Sequence, residues 1–121
     1  MSLSNQRALI KKLESSIDQD IVHIKGTVKT PEIYLNKNEG IIQLKGRSIP
    51  ENAKQLYNPI ITWAEKYTQS PYSETKLVFQ LEYFNTASSK MLLQIIKNLE
   101  RLRKCNKNIV IEWCYVEDDD D

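Results

Sequence analysis

Six consecutive residues, Asn85-Thr86-Ala87-Ser88-Ser89-Lys90, carry the side chains with the clearest chemical potential in this sequence, and we call them the corner. They follow an apolar stretch that predicts a buried strand, and they open a long amphipathic pattern that predicts a helix. The first turn of a helix leaves backbone N–H groups unpaired and carries about half a positive charge. A phosphoryl group on a hydroxyl at this position would be stabilised, so the corner predicts a modification site.

The alternative for the corner is that its polar residues only cap the helix. Asn, Ser and Thr side chains commonly accept hydrogen bonds from the free N–H groups of a first turn. One such residue is enough for a cap, whereas four of the first five residues of the corner are polar. On the residues alone, a simple cap and a phosphoacceptor site therefore both stay open.

The remaining reactive side chains do not form a recognisable catalytic or metal-binding set. His23 is the single histidine, so a Ser/His/Asp or Cys/His site would have to use it, and a half-exposed strand residue is the simpler interpretation. Cys105 and Cys114 lack the spacing of a zinc site and are expected to be reduced apolar fillers. The glycines are too scattered for a phosphate-binding loop. We expect no catalytic residue, no metal and no cofactor.

Length and charge limit the class of protein. A chain of 121 residues builds one domain around one core. Its net charge of +1 gives no general attraction to nucleic acid. The sequence shows no secretory leader and no apolar run of about 18 residues, so we expect no membrane insertion and a cytoplasmic location.

The elements that must position the corner alternate between strands and helices. Apolar spacing and turn residues predict a helix over 4–16, strands over 21–25, 32–36 and 40–46, a helix over 53–67, a strand over 77–84, the helix after the corner and a strand over 109–115. This order predicts an α/β fold, a single-domain mixed β-sheet of about five strands with helices packed on it. Residues 1–20 would form a helical extension, 21–116 the α/β domain and 117–121 an acidic tail.

Three details of these elements are open to a structural test. Pro59 predicts a kink or break in the second helix. The strand over 77–84 has apolar residues on both faces, with Tyr83 on the same face as Leu81, and is expected to be covered on both sides or nearly so. The two long helices should pack on one face of the sheet unless the chain reverses direction across it.

Several ordered blocks of residues carry a family resemblance. The blocks are Gly26-Thr27 with Thr30-Pro31-Glu32, Gly46 to Ala53, Tyr57 to Trp63, Leu81 to Lys90, and Trp113 with the acidic residues after Tyr115. Together they cover about residues 24 to 119 and resemble the signature of the SiaC family of regulatory phosphoproteins. No single block would be specific, but the ordered set is.

The resemblance implies a fold similar to STAS domains and anti-sigma-factor antagonists. In such proteins a Ser/Thr protein kinase with a histidine-kinase-like ATPase fold phosphorylates one Ser or Thr at a helix start. A metal-dependent Ser/Thr phosphatase reverses the reaction, and only one form binds the downstream target. In the SiaC family that target is a diguanylate cyclase, and the acceptor is the Thr directly after the Asn of the corner, which is Thr86 here.

The same resemblance assigns the surroundings of the acceptor. The phosphosite would be shaped by Asn85, Ser88, Ser89 and Lys90, and a partner surface is expected at Arg47, Ser48, Glu51 and Asn52. Ala87 departs from the family pattern, which often has Ser there. Family members also commonly continue through another helix and strand after the position of Asp121, so this chain is either a shortened form or one whose residues 1–20 cover what that piece would.

These observations predict a non-catalytic switch protein whose phosphorylation at Thr86 controls binding of a target. A constitutive protein–protein interaction domain that is never phosphorylated is the alternative. An enzyme built on His23 is the third reading, and it would require a deep pocket holding this imidazole with a carboxylate.

Overall fold

A computed structural model of the protein describes residues 3–105 and 107–115, with the side chains of residues 6–105 and 107–114. Its elements are α1 (Leu3–Ser16), β1 (Ile21–Ile24), β2 (Glu32–Asn36), β3 (Ile41–Ser48), α2 (Ala53–Tyr67), β4 (Glu74–Phe84), α3 (Thr86–Lys104) and β5 (Asn108–Tyr115). The predicted α/β fold with a five-stranded mixed sheet is confirmed. The acidic tail predicted over 117–121 lies outside the described residues.

The five strands lie in the sheet in the order of the chain, β1-β2-β3-β4-β5. The pairs β1–β2 and β2–β3 are antiparallel, whereas β3–β4 and β4–β5 are parallel and are joined through α2 and α3. Because the order never reverses, two right-handed crossovers bring both helices to the same face, where α2 and α3 pack against each other. α1 packs on α2 beside them.

The core lies between this sheet face and the helices. Side chains alternate along each strand, so every second residue points at the helices. The buried apolar residues of this layer include Ile33, Leu35, Ile42, Leu44, Leu77, Phe79 and Leu81 from the sheet, and Leu56, Ile60, Trp63, Leu92, Ile95 and Leu99 from the helices. Burial of this continuous surface is the main driving force that holds α3, and with it the corner, on the sheet.

The expectation that β4 is covered on both faces is wrong. Lys76 and Gln80, on the face away from the helices, are exposed, and only Val78 between them is buried. The two crossover helices lie on one side, so apolar residues on the other side of β4 are sheltered only by their neighbours in the sheet.

A β-bulge explains why Tyr83 does not share the buried face of Leu81. The register between β3 and β4 shifts after Gly46, so that Gly46 pairs with Leu81 while Arg47 pairs with Tyr83. An extra residue on one strand reverses the alternation beyond it. Tyr83 is therefore exposed, whereas Phe84 packs against the core. The ring centroids of Phe84 and Trp113 lie 5.7 Å apart.

Of the kink or break predicted at Pro59, the break does not occur, because α2 runs through this residue without interruption. Pro59 itself is buried, as are Tyr57 and Ile60 next to it. A proline inside a helix costs about 3 kcal/mol or more through its missing hydrogen bond and its steric clash. Burial of apolar side chains on both sides of the proline offsets that cost.

Candidate functional site

Asn85 is the residue that caps α3. Its backbone is extended, and its side-chain Oδ1 accepts a hydrogen bond from the N–H of Ser88 at 2.9 Å. The carbonyl of Asn85 accepts from the N–H of Ser89 at 3.0 Å. Asn85 is therefore the cap residue of the corner, and Thr86 occupies the first helical position.

Thr86 is exposed at the first position of α3. Its carbonyl accepts a hydrogen bond from Ser89 Oγ at 2.7 Å, while its own hydroxyl has no hydrogen-bond partner in the part of the chain that the structure describes. The backbone N–H groups of Thr86 and Ala87 likewise have no acceptor among the described residues. A free hydroxyl thus stands beside free first-turn donors, which is the geometry that favours an anion.

A groove runs between the first turns of α2 and α3, and Thr86 forms part of its wall. The groove is lined by Glu51, Asn52, Ala53, Lys54, Thr86, Ala87, Lys90 and Met91. Two helix amino termini and two exposed lysines give it cationic character. The one acidic residue in the groove, Glu51, lies 3.9 Å from the Lys29 ammonium, which offsets its charge.

A chain of buried hydroxyls links the elements that form this end of the molecule. Tyr57, Ser48 and Ser88 have no exposed surface. Ser48 Oγ lies 2.6 Å from the Tyr57 hydroxyl and donates to Ser88 Oγ at 2.9 Å, and Ser88 Oγ donates to the Ser48 carbonyl at 3.0 Å. Each of these polar groups is satisfied inside an apolar core, where a lost partner would be costly.

Burial raises the pKa of Tyr57 to about 12, and the hydroxyls of Ser48 and Ser88 lower it only in part. An apolar site disfavours the charged phenolate and so keeps the phenol protonated. The Tyr57 hydroxyl therefore stays available as a hydrogen-bond donor throughout the neutral range.

The structure brings together about half of the residues that the sequence singled out. Thr86, Lys90, Glu51 and Asn52 meet in the groove. Three more of these residues lie outside the groove. Asn85 and Ser89 make hydrogen bonds that stabilise the first turn of α3. Arg47 is exposed at the β-bulge.

Two serines of the predicted site have no surface at all. Ser88 is sealed in the hydroxyl chain, so it shapes the corner from inside and is not accessible to a kinase. Ser48, which we expected on a partner surface, is also buried. Sequence reasoning missed Lys54, and it treated Tyr57 as a plain core residue, although a buried tyrosine usually signals a hydroxyl partner.

The other candidate chemistries do not gather around this groove. His23 Nε2 lies 2.7 Å from a carboxylate oxygen of Glu32, but 59% of the imidazole side chain is exposed and the pair lies on the sheet surface. Cys105 and Cys114, expected to be reduced apolar fillers, are free thiols, but both are exposed. Within the described residues, no three metal-ligating side chains converge, and no helix has the length and apolar content of a membrane span.

The described fold is that of a small α/β protein with a five-stranded mixed sheet. A family model described as SiaC family regulatory phosphoprotein matches this chain. This model matches residues 24–121, most of the chain. The chain belongs to the SiaC family of regulatory phosphoproteins, which confirms the resemblance found in the sequence. The whole of α1, the turn after it and β1 as far as His23 precede the matched region.

Relatives of this chain come from Pseudomonas aeruginosa. It is 31% identical over 94 residues to protein PA14_02130 of strain UCBPP-PA14, covering 78% of this chain and 75% of the relative. The crystal structure of apo-SiaC matches with a TM-score of 0.72 and 30% identity over 77% of each chain. SiaC in complex with diguanylate cyclase SiaD, which it activates, matches with a TM-score of 0.71 and 30% identity over 76% of this chain and 75% of that one.

Proposed function

We propose that this protein is a non-catalytic switch that binds a diguanylate cyclase and is controlled by reversible phosphorylation of Thr86. Membership of a family of regulatory phosphoproteins and similarity to a SiaC that activates a diguanylate cyclase support this assignment. A partner Ser/Thr kinase with a histidine-kinase-like ATPase fold adds the phosphoryl group. A metal-dependent Ser/Thr phosphatase removes it. Because ATP and the cyclase are intracellular, the switch acts in the cytoplasm.

The observation that carries the proposal is the exposed Thr86 hydroxyl at the first position of α3, in the wall of the groove. A phosphoryl group adds a charge of about −1.5 to −2 at neutral pH. The unpaired N–H groups of the first turn and the lysines Lys54 and Lys90 would stabilise that charge. The phosphoryl charge would offset most of the cationic character of the groove, and a partner that contacts it would distinguish the two forms.

The acceptor is tested by substitution of Thr86. We expect Thr86→Ala to fold normally, because the side chain is exposed, and to lose all phosphorylation by the cognate kinase with ATP. Intact-mass analysis measures the loss. Ser89→Ala is the matched control, since it removes a neighbouring hydroxyl from the same turn and should leave the labelling unchanged. Full labelling of the Thr86→Ala variant would show that Thr86 is not the acceptor.

The switch itself is tested by binding. Unphosphorylated and phosphorylated forms of the wild-type protein are compared for capture of the cyclase from the same organism that most resembles SiaD. We expect a difference of at least about tenfold in Kd, the equivalent of one or two charge-assisted contacts made or lost. Equal capture of the two forms would instead identify a constitutive interaction domain.

A further inference from the structure

The two walls of the groove belong to different helices, and buried hydroxyls connect those helices through Ser48 of β3. Ala53 and Lys54 of α2 form one wall, and Thr86 and Ala87 of α3 form the other. One turn further along α2, Tyr57 reaches the hydroxyl of Ser48 at the end of β3, and Ser48 bonds to Ser88 in the first turn of α3. The chain of hydroxyls therefore spans the base of both walls.

The direction of each hydrogen bond in this chain is determined. A hydroxyl donates one hydrogen bond. Ser88 Oγ uses its proton on the Ser48 carbonyl, and Ser48 Oγ uses its proton on Ser88 Oγ. The Tyr57 hydroxyl must therefore donate to Ser48 Oγ across the 2.6 Å contact. Because only one arrangement of the hydroxyl protons satisfies all these hydrogen bonds, the three side chains adopt one relative geometry.

Ser48 holds the backbone on both sides of Thr86. Its carbonyl accepts from the N–H of Asn85 at 3.1 Å and from Ser88 Oγ at 3.0 Å. Thr86 and Ala87 are the only residues between these two attachment points. Rotation or fraying of the first turn of α3 would leave buried hydroxyls without partners, which is unfavourable in an apolar core.

We infer that the Tyr57–Ser48–Ser88 hydroxyl chain is the positioning device of the phosphoacceptor, fixing the first turn of α3 against α2 so that Thr86 faces the groove in one orientation. The part that concerns a phosphoryl group rests on the proposed function. The fixed geometry of the unmodified turn does not. Tyr57 acts through Ser48 and Ser88, and it has no exposed surface with which to contact a partner.

A second buried tyrosine on the same helix provides a matched control for a purely structural role. The Tyr67 hydroxyl lies 2.6 Å from Thr75 Oγ1, and both side chains are buried. Tyr57→Phe and Tyr67→Phe each remove one buried phenolic oxygen from α2 with little change of shape. Because Tyr67→Phe also removes the acceptor of the Tyr72 N–H, urea denaturation should show at least as large a loss of stability as in Tyr57→Phe. A larger effect of Tyr57→Phe at the corner would therefore not reflect general weakening.

The unmodified protein is tested by amide hydrogen exchange at Ser88 and Ser89, the two N–H groups held by the cap. We expect exchange about fivefold to tenfold faster in Tyr57→Phe than in Tyr67→Phe, as for the loss of one buried hydrogen bond that acts locally. Ser88→Ala, which breaks the chain at its other end, should give the same local increase. Equal exchange at the corner in the two Phe variants overturns the inference.

The phosphorylated turn is tested without a kinase, by incorporating phosphothreonine at position 86 during translation and titrating it by phosphorus NMR. Free phosphothreonine has a second pKa of about 6. In the wild type and in Tyr67→Phe we expect a lower midpoint, because fixed first-turn N–H groups favour the dianion. In Tyr57→Phe the midpoint should move on the order of 0.3 pH units back towards the free value.

The two tests separate the inference from the proposed function. Identical phosphate midpoints in the wild type and both Phe variants would overturn the positioning role, whatever the kinase does. Absence of Thr86 phosphorylation by the cognate kinase would overturn the proposed function, and the exchange data on the unmodified turn would still decide whether the hydroxyl chain positions it.

Discussion

The two ends of α2 use the same chemistry for different purposes. At one end, the hydroxyl of Tyr67 contacts Thr75 Oγ1 and accepts from the N–H of Tyr72 at 3.1 Å, so it closes the loop between α2 and β4. At the other end, the hydroxyl of Tyr57 joins Ser48 and Ser88, which are 40 positions apart in the sequence. The first network is local, whereas the second ties together three elements.

This difference indicates where a switch can be placed on such a fold. The hydrogen-bond partners of Tyr67 are neighbours along the chain, so a change at this end acts on the loop between α2 and β4 and on the Gly40 turn packed against it. A change at the Tyr57 end is felt by α2, β3 and α3 at once, and the exposed Thr86 lies where those elements meet. The groove end combines a rigid interior that joins three elements with an accessible hydroxyl at the start of a helix. The exposed hydroxyls of the opposite end, on Ser70, Tyr72 and Ser73, lie in the loop after α2.

The largest effect is expected from Gly40→Ala at the Tyr67 end. Gly40 has a φ of +69°, and a Cβ there would lie 2.4 Å from the Glu74 carbonyl oxygen and 2.9 Å from the Tyr67 hydroxyl. We expect a loss of about 2–4 kcal/mol in the free energy of unfolding from the left-handed backbone and the clash. Urea denaturation measures it.

The Gly40→Ala variant also tests whether the two ends of α2 are independent. If the networks are independent, cap N–H exchange at Ser88 should change no more than global stability requires. A selective increase in the exchange rate at the corner would show that the Tyr67 end is coupled to the groove and that the two networks are not independent.

A smaller effect is expected from alkaline pH through Tyr57. Its pKa in the folded protein is raised from 10.0 to about 12, so the unfolded chain loses this proton first as pH rises. The stability contributed by the protonated phenol is complete below about pH 10 and is lost as pH rises towards about 12. The loss is about 1.4 kcal/mol per pH unit across that window.

The contribution of Tyr57 is isolated by comparison with Tyr57→Phe, which carries every other titrating group. The difference in unfolding free energy between wild type and variant should shrink by roughly 1 kcal/mol between about pH 9 and about pH 11. A difference that stays constant over this range would mean that the phenol is less shielded than its position in the core indicates.

The smallest effects are expected from the two helix caps on opposite walls of the groove. Asn52 Oδ1 accepts from the N–H of Gln55 at 3.1 Å, and Asn85 Oδ1 accepts from the N–H of Ser88 at 2.9 Å. Asn52→Ala and Asn85→Ala should each cost about 1 kcal/mol in thermal or urea unfolding. Because the hydroxyl chain also holds the first turn of α3, we expect Asn85→Ala to lose no more unfolding free energy than Asn52→Ala. A much larger loss would indicate that the Asn85 cap, and not Ser48, is the main attachment of that turn.

The local features of this protein could be predicted from the order of its residues. Spacing of apolar residues located the helices and strands to within a few positions, and the composition of the corner located the start of α3 and its exposed threonine. These features depend on contacts within one turn or one strand, so nearby residues contain the information. The ordered blocks added the family, which composition and periodicity do not give.

Which polar residues of the site are exposed and which are buried depends on the tertiary structure. Ser88 resembles Thr86 in the sequence, and Ser48 lies in a segment that looked like surface, yet both hydroxyls are buried against Tyr57. Their contact depends on the strand register, on the bulge at Gly46 and on both crossover helices sharing one face. Such relations join residues far apart in the chain, and packing of the whole core sets them.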